Sequence, residues 1–206
     1  MFITFEGVEG AGKTTVAKGL VKLLDDDGYN VLYTREPGGN KIAESIRDIV
    51  LDRSNTDMDV RTEALLYAAA RRQHLVDVIE PALKEKKIVI CDRFVDSSIA
   101  YQGYARNIGS KLVEDINDFA IAGKRPYLTF LIDVKPGIGL ERIAKDQKRE
   151  INRLDLEELE FHQSVYDGYQ KLAEKNSDRI KVIDGERQTA EVVADIYQII
   201  KSRITI

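Results

Sequence analysis

Eight consecutive residues near the start of the chain, Gly7-Val8-Glu9-Gly10-Ala11-Gly12-Lys13-Thr14, match the pattern GxxxxGK(S/T). Their types fit one chemistry. Glycines leave backbone N–H groups free to wrap phosphate oxygens, and a helix that begins beside them points its positive end at the bound anion. Lys13 is then expected to reach the β- and γ-phosphates, and the Thr14 hydroxyl to ligate Mg²⁺. The pattern counts as a phosphate cradle only between a strand and a helix. The apolar run Phe2 to Phe5 before it and the helical pattern from Thr14 to Asp26 after it supply that setting. A nucleoside triphosphate ligand is implied. The sequence contains no guanine-reading Asn/Thr-Lys-x-Asp after a late strand, which argues against a switch GTPase.

What the triphosphate is used for depends on residues elsewhere. The apolar run Ile88-Val89-Ile90-Cys91 ends on Asp92-Arg93. Ligands of open parallel sheets bind beyond the carboxyl ends of the strands, so Asp92 is placed to hold Mg²⁺ through water and Arg93 to clamp phosphate. Arg35-Glu36-Pro37-Gly38-Gly39 closes an earlier strand with a turn that leaves Arg35 and Glu36 facing the same edge. Tyr67 and Arg71 are four residues apart, as are Ser98 and Gln102, so each pair shares a helical face. An aromatic ring, a guanidinium fork and an amide can stack on a planar base and hydrogen-bond its edge. The segment Lys145 to Asp155, KDQKREINRLD, is dense in charge, nearly without apolar anchors, and reads as an exposed lid. Within it Lys148, Arg149 and Arg153 are available cations, and the last two are spaced to share a face. His74 and His162 fall on helical patterns and read as packing or surface residues, and Cys91 as a buried strand-end hydrophobe.

The elements that must position these residues form a regular alternation. Strands are expected at Phe2 to Phe5, Val31 to Thr34, Ile88 to Cys91, Leu128 to Val134 and Ile180 to Ile183. Helical patterns run Thr14 to Asp26, Lys41 to Leu51, Val60 to Lys86 with a start or kink at Pro81, Ser110 to Ala122, Gly137 to Lys145, Leu156 to Asn176 and Thr189 to Arg203. Strands this apolar suit a sheet covered on both faces, so the expected fold is α/β: a five-stranded parallel sheet flanked by helices in three layers, with a short basic lid. The 206 residues make one domain spanning 1–206. Thirty-one Lys and Arg against thirty-five Asp and Glu give a net charge of −4, which lacks the basic excess that nucleic-acid binders use. No apolar run is long enough to span a membrane, and no signal core opens the chain. A lone cysteine excludes an internal disulfide and a thiolate zinc lid, in keeping with a reducing cytoplasm.

Taken together, FEGVEGAGKTT, TREPGG, RTEALLYAAARRQHL, DRFVDSSIAYQGYAR and LTFLIDV resemble the bacterial thymidylate kinases in order and spacing over nearly the whole chain. The resemblance implies the P-loop NTPase fold and Mg²⁺-dependent transfer of the ATP γ-phosphate to dTMP, giving dTDP and ADP, in a cytoplasmic homodimer. It places Tyr67 where the family stacks a ring on thymine and Arg71, Ser98 and Gln102 at the thymine edge. Arg47 and Arg93 match arginines on the acceptor phosphate, Tyr101 a tyrosine that crowds the 2′ position, and Glu9 and Glu36 carboxylates near the 3′-hydroxyl or its magnesium. Arg142 matches a residue that packs on adenine. One form of the family carries a catalytic arginine inside the P-loop where Gly10 stands here, so the missing charge is expected from the lid through Lys148, Arg149 or Arg153. Two rival readings remain at this level: a kinase for another nucleotide or nucleoside, and a non-catalytic nucleotide sensor.

Overall fold

A computed structural model describes residues 1–145 and 152–204. Its centre is a parallel sheet of β1 (Phe2–Glu6), β2 (Val31–Arg35), β3 (Ile88–Asp92), β4 (Leu128–Asp133) and β5 (Ile180–Asp184), in the order β2-β3-β1-β4-β5. Every residue of β1 and β3 is buried, which explains why their sequences are continuous apolar runs without alternation. The register sets Phe5 beside Asp92 on one side and Phe130 on the other, so the carboxyl ends of β1, β3 and β4 finish at one edge.

Helix α1 (Lys13–Asp26) begins inside the glycine-rich loop. It buries Val16, Leu20 and Leu24 against the sheet, each contributing on the order of 2 kcal/mol. Helix α2 (Lys41–Leu51) starts at Asn40, whose side chain accepts from Ala43 N at 2.8 Å, and α3 (Val60–His74) at Asp59, which accepts from the N–H groups of Arg61 and Thr62. Beyond His74 the helix widens into a π-type turn at Leu75–Ile79 before α4 (Glu80–Lys84). Pro81 has no N–H and crowds the preceding turn, and the expected kink takes this form. Helix α5 (Val95–Ser98) runs directly into a second π-type stretch, Ile99–Ala105. Then come α6 (Ser110–Ile121), α7 (Pro136–Lys145), a 3₁₀ turn at Arg153–Leu156, α8 (Leu159–Lys175) and α9 (Thr189–Lys201). Helices α1 and α9 pack together, while α3, α6, α8 and the Ile99–Ala105 stretch pack with one another, giving the expected three layers. Among the described residues no helix is long and apolar enough to cross a membrane.

Candidate active site

The loop after β1 turns through three glycines at positive φ, Gly7, Gly10 and Gly12. Gly10 carries a second constraint. A Cβ built there would lie 2.1 Å from the carbonyl oxygen of Gly139 in α7, and one built on Gly139 would lie 2.2 Å from Glu9 O. The cradle and α7 therefore meet backbone to backbone, and no side chain fits at position 10, which is why a loop arginine has no place here. Gly139 was not legible as a site residue, because its requirement comes from a neighbour distant in sequence. Ala11 N donates to Val8 O, closing the turn. Lys13 lies over the cradle, with Nζ donating to the carbonyls of Gly7 (3.1 Å) and Val8 (2.8 Å). Burial, and after it Arg93, draw its pKa down to about 8.

Thr14 Oγ1 donates to Asp92 Oδ2 at 2.6 Å, and both line the cleft beside Lys13. Two hard oxygen donors next to a phosphate cradle fit Mg²⁺, which takes few protein ligands and keeps several waters. Arg93 follows in a left-handed backbone conformation (φ 69°), held by its own N–H to Phe5 O and by Phe94 N to the Glu6 carboxylate. That conformation turns the guanidinium back across the cleft. One nitrogen meets Glu9 at 2.7 Å, the other reaches Gly7 O, Ser97 and Tyr169, and the carbon lies 5.1 Å over the Tyr101 ring. Burial works against the charge, but Glu9 foremost, with Tyr101, Tyr169 and Asp92, holds the Arg93 pKa well above its ordinary value. Tyr101 also donates to Glu9 at 3.2 Å, joining the three groups.

A second cleft opens on the far side of Arg93. Tyr67, Arg71, Ser98, Tyr101 and Gln102 line it together with Glu36 and Arg47, so the two helical pairs and the turn after β2 do converge. Arg47 spans both clefts and donates to Pro37 O at 3.0 Å. Arg35 grips the same carbonyl and Glu44, so it holds the turn while lining the phosphate side. Arg71 is 2% exposed and donates Nε to Glu36 at 2.7 Å, Nη1 to Ser98 and Asn117, and Nη2 to Phe94 O. Its guanidinium rests over the buried Phe94 ring. The Tyr67 ring is buried, and burial above all raises its phenol well beyond the ordinary range. Arg142 donates to Gly185 O and lines a third recess with Ala11, Thr15 and Arg187.

Two expectations need correction. Arg153, expected to share a face with Arg149 at the transferring phosphoryl, lies in the 3₁₀ turn with its side chain buried, bonded to Glu63 and to Val50 O at 3.0 Å. Its charge is spent on a buried carboxylate of α3 and does not face the cradle. Arg149 and Lys148, the remaining lid cations, lie outside the described residues. His74 is more than a packing residue: it bridges Thr34 (2.7 Å) and Glu36 (3.0 Å) and so orients the carboxylate that holds Arg71. Glu6 was also missed. It accepts from Phe94 N, Ser97 and Tyr169, three groups that fix Arg93.

Comparison with known proteins settles the family. The thymidylate kinase family profile matches residues 5–196. The chain belongs to the thymidylate kinase family. It is 58% identical over 193 residues to the thymidylate kinase of Geobacillus sp. strain WCH70, covering 94% of this chain and 92% of the relative. It is 54% identical over 205 residues to that of Halalkalibacterium halodurans, covering 100% and 98%. A crystal structure of thymidylate kinase from Ehrlichia chaffeensis superposes with a TM-score of 0.78 at 38% identity, covering 97% and 98% of the two chains. The glycine-rich loop and the β3 end carrying Asp92-Arg93 both fall inside the part of the chain that matches the thymidylate kinase family.

Proposed function

We propose that the chain transfers the γ-phosphoryl group of ATP to dTMP, giving dTDP and ADP in the synthesis of dTTP. The observation that carries this reading is the pair of clefts meeting at Arg93 and Glu9, a triphosphate cradle on one side and a base-sized, polar-edged cavity on the other. Family membership supports the same acceptor. Such a reaction asks the protein to align two phosphates, balance their charge and exclude water. Lys13 leaves the Gly7 and Val8 carbonyls for the β- and γ-phosphates. Arg93 and Arg47 hold the acceptor phosphate, and Tyr67, Arg71, Ser98 and Gln102 hold its base. Glu9 and Glu36 take the sugar side and Tyr101 crowds the 2′ position. Arg142 forms a wall of the adenine recess, and Lys148 or Arg149 supplies charge at the transferring group. Thr14 and Asp92 would hold Mg²⁺, which when bound withdraws charge from the donor phosphates. The acceptor is already ionised, so no strong base is required. A coupled assay for ADP formed from ATP and dTMP tests the proposal, and absence of dTMP-dependent ADP rejects it.

A homodimer is proposed on the outer face of α3 and α6. These helices pack together and leave Leu65 (56%), Leu112 (53%) and Phe119 (90%) exposed, an apolar surface that a second copy would cover. Ile121, at the end of the same helix, is fully buried in the core. A cytoplasmic location is part of the same reading.

A further inference from the structure

Glu63 takes no part in the proposed phosphoryl transfer, yet it is 1% exposed and sits one turn before Tyr67 and two before Arg71 on the same face of α3. Its carboxylate collects Gln102 Nε2 at 2.8 Å, Arg106 at 3.4 Å and Arg153. Burial alone would push its pKa up, but Arg106, Arg153 and Gln102 outweigh that and hold it below the ordinary value. An ionised carboxylate only accepts hydrogen bonds, so the end of Gln102 that meets it has to be the NH₂ group. The carbonyl end is thereby left for the cavity that Gln102 lines. Arg71 is constrained in the opposite sense. Four of a guanidinium's five N–H groups are engaged by Glu36, Ser98, Asn117 and Phe94 O, which leaves one donor on a residue that lines the same cavity as the Gln102 amide.

A donor next to an acceptor matches the O4 and N3–H of a 4-oxo pyrimidine and opposes both groups of a 4-amino pyrimidine, which presents an N4 donor and an N3 acceptor. We infer that Glu63 is a positioning residue for base specificity, locking the Gln102 amide so that the site accepts 4-oxo pyrimidine nucleotides and rejects cytosine nucleotides. The inference rests on the second cleft being the acceptor-base site. Arg153 comes from the 3₁₀ turn whose neighbours Asn152 and Leu154 line the same cavity, so the foot of the lid segment supplies the charge that keeps Glu63 an acceptor.

The test is kcat/KM for dTMP, dUMP and dCMP with wild type, Glu63→Gln, Gln102→Ala and the double variant, dCMP being followed as a competing inhibitor where its turnover is too slow. Glu63→Gln should lower the dTMP:dCMP ratio about tenfold or more, because its amide can meet either end of Gln102. The dTMP:dUMP ratio should stay constant, and Glu63→Gln should add no further change in the Gln102→Ala background. Equal losses for all three nucleotides, or an unmoved dTMP:dCMP ratio in a folded variant, overturn the inference. If Glu63→Gln does not fold, Glu63→Asp is read by the same ratio, since one methylene less releases the amide. Wild-type turnover is measured first: its absence overturns the functional proposal, whereas wild-type turnover with an unmoved ratio overturns only the role of Glu63.

Discussion

Replacing Arg71 by Met should damage stability and turnover separately, and the two losses can be pulled apart. Arg71 and Glu36 are 2% and 3% exposed as side chains and pair at 2.7 Å. Removing one partner of such a pair leaves a buried charge uncompensated, at a cost of about 3–5 kcal/mol. His74 remains on the other Glu36 oxygen and offsets part of this. For a domain of this size each kcal/mol moves Tm by about 2–4 °C, so a fall of roughly 6–20 °C is expected by circular dichroism. Turnover loses the charged donor at the base edge, a bond of about 1.5–3 kcal/mol, which lowers kcat/KM for dTMP by about ten- to a hundred-and-fifty-fold. Adding Glu36→Gln neutralises the stranded carboxylate, so the double variant should regain much of the lost Tm and none of the lost turnover. An Arg71→Met protein with Tm within about 2 °C of wild type, or with dTMP kcat/KM within about threefold, refutes the assignment.

Three further outcomes are expected. With the Lys13 pKa near 8 in the free protein, nucleotide phosphates should pull it upward, so ADP affinity measured calorimetrically is flat below pH 8. Above that pH it weakens up to about tenfold per pH unit as binding takes up a proton; an affinity constant from pH 7 to 9.5 argues against Lys13 as the phosphate ligand. Glu6 is raised from 4.5 to about 7, by burial first and by Asp96 second. The folded state thus holds a proton that the unfolded chain has released, and this group's contribution to stability is full below pH 4.5 and lost as pH rises through 7. Glu6→Gln should therefore gain in Tm on wild type between pH 5 and 8, and parallel Tm curves would count against the shift. Arg153→Met, which leaves the buried Glu63 to Arg106 and Gln102, should cost about 1.5–3 kcal/mol in urea unfolding, whereas Arg149→Met should lower kcat. The reverse pattern would return Arg153 to the reacting phosphoryl.

The cradle was legible because its geometry is local: contiguous N–H groups, glycines at turns and a helix start within eight residues. The central strands β1, β3 and β4 were legible because burial on both faces removes polar alternation, and the helical pattern from Lys41 to Leu51 coincides with α2. The pairs Tyr67/Arg71 and Ser98/Gln102 reached one cavity as expected, since spacing on a helix fixes a shared face even where α5 widens into a π-type stretch. Arg153 was misread because that argument presumes a helix running through it, whereas Arg153 opens a 3₁₀ turn over Arg153–Leu156.

From sequence alone came the fold class, read from the alternation of strands and helices, and the glycine-rich cradle and the helical faces that meet at the second cleft, set by residues within about two turns of one another. Tertiary structure alone decided which charge meets which. Glu63 finds Arg153 ninety residues away, Glu6 finds Tyr169 across 163, and Gly10 is confined by Gly139. A buried ion pair or a backbone contact depends on packing between distant elements, and sequence spacing carries no record of which groups that packing brings within reach.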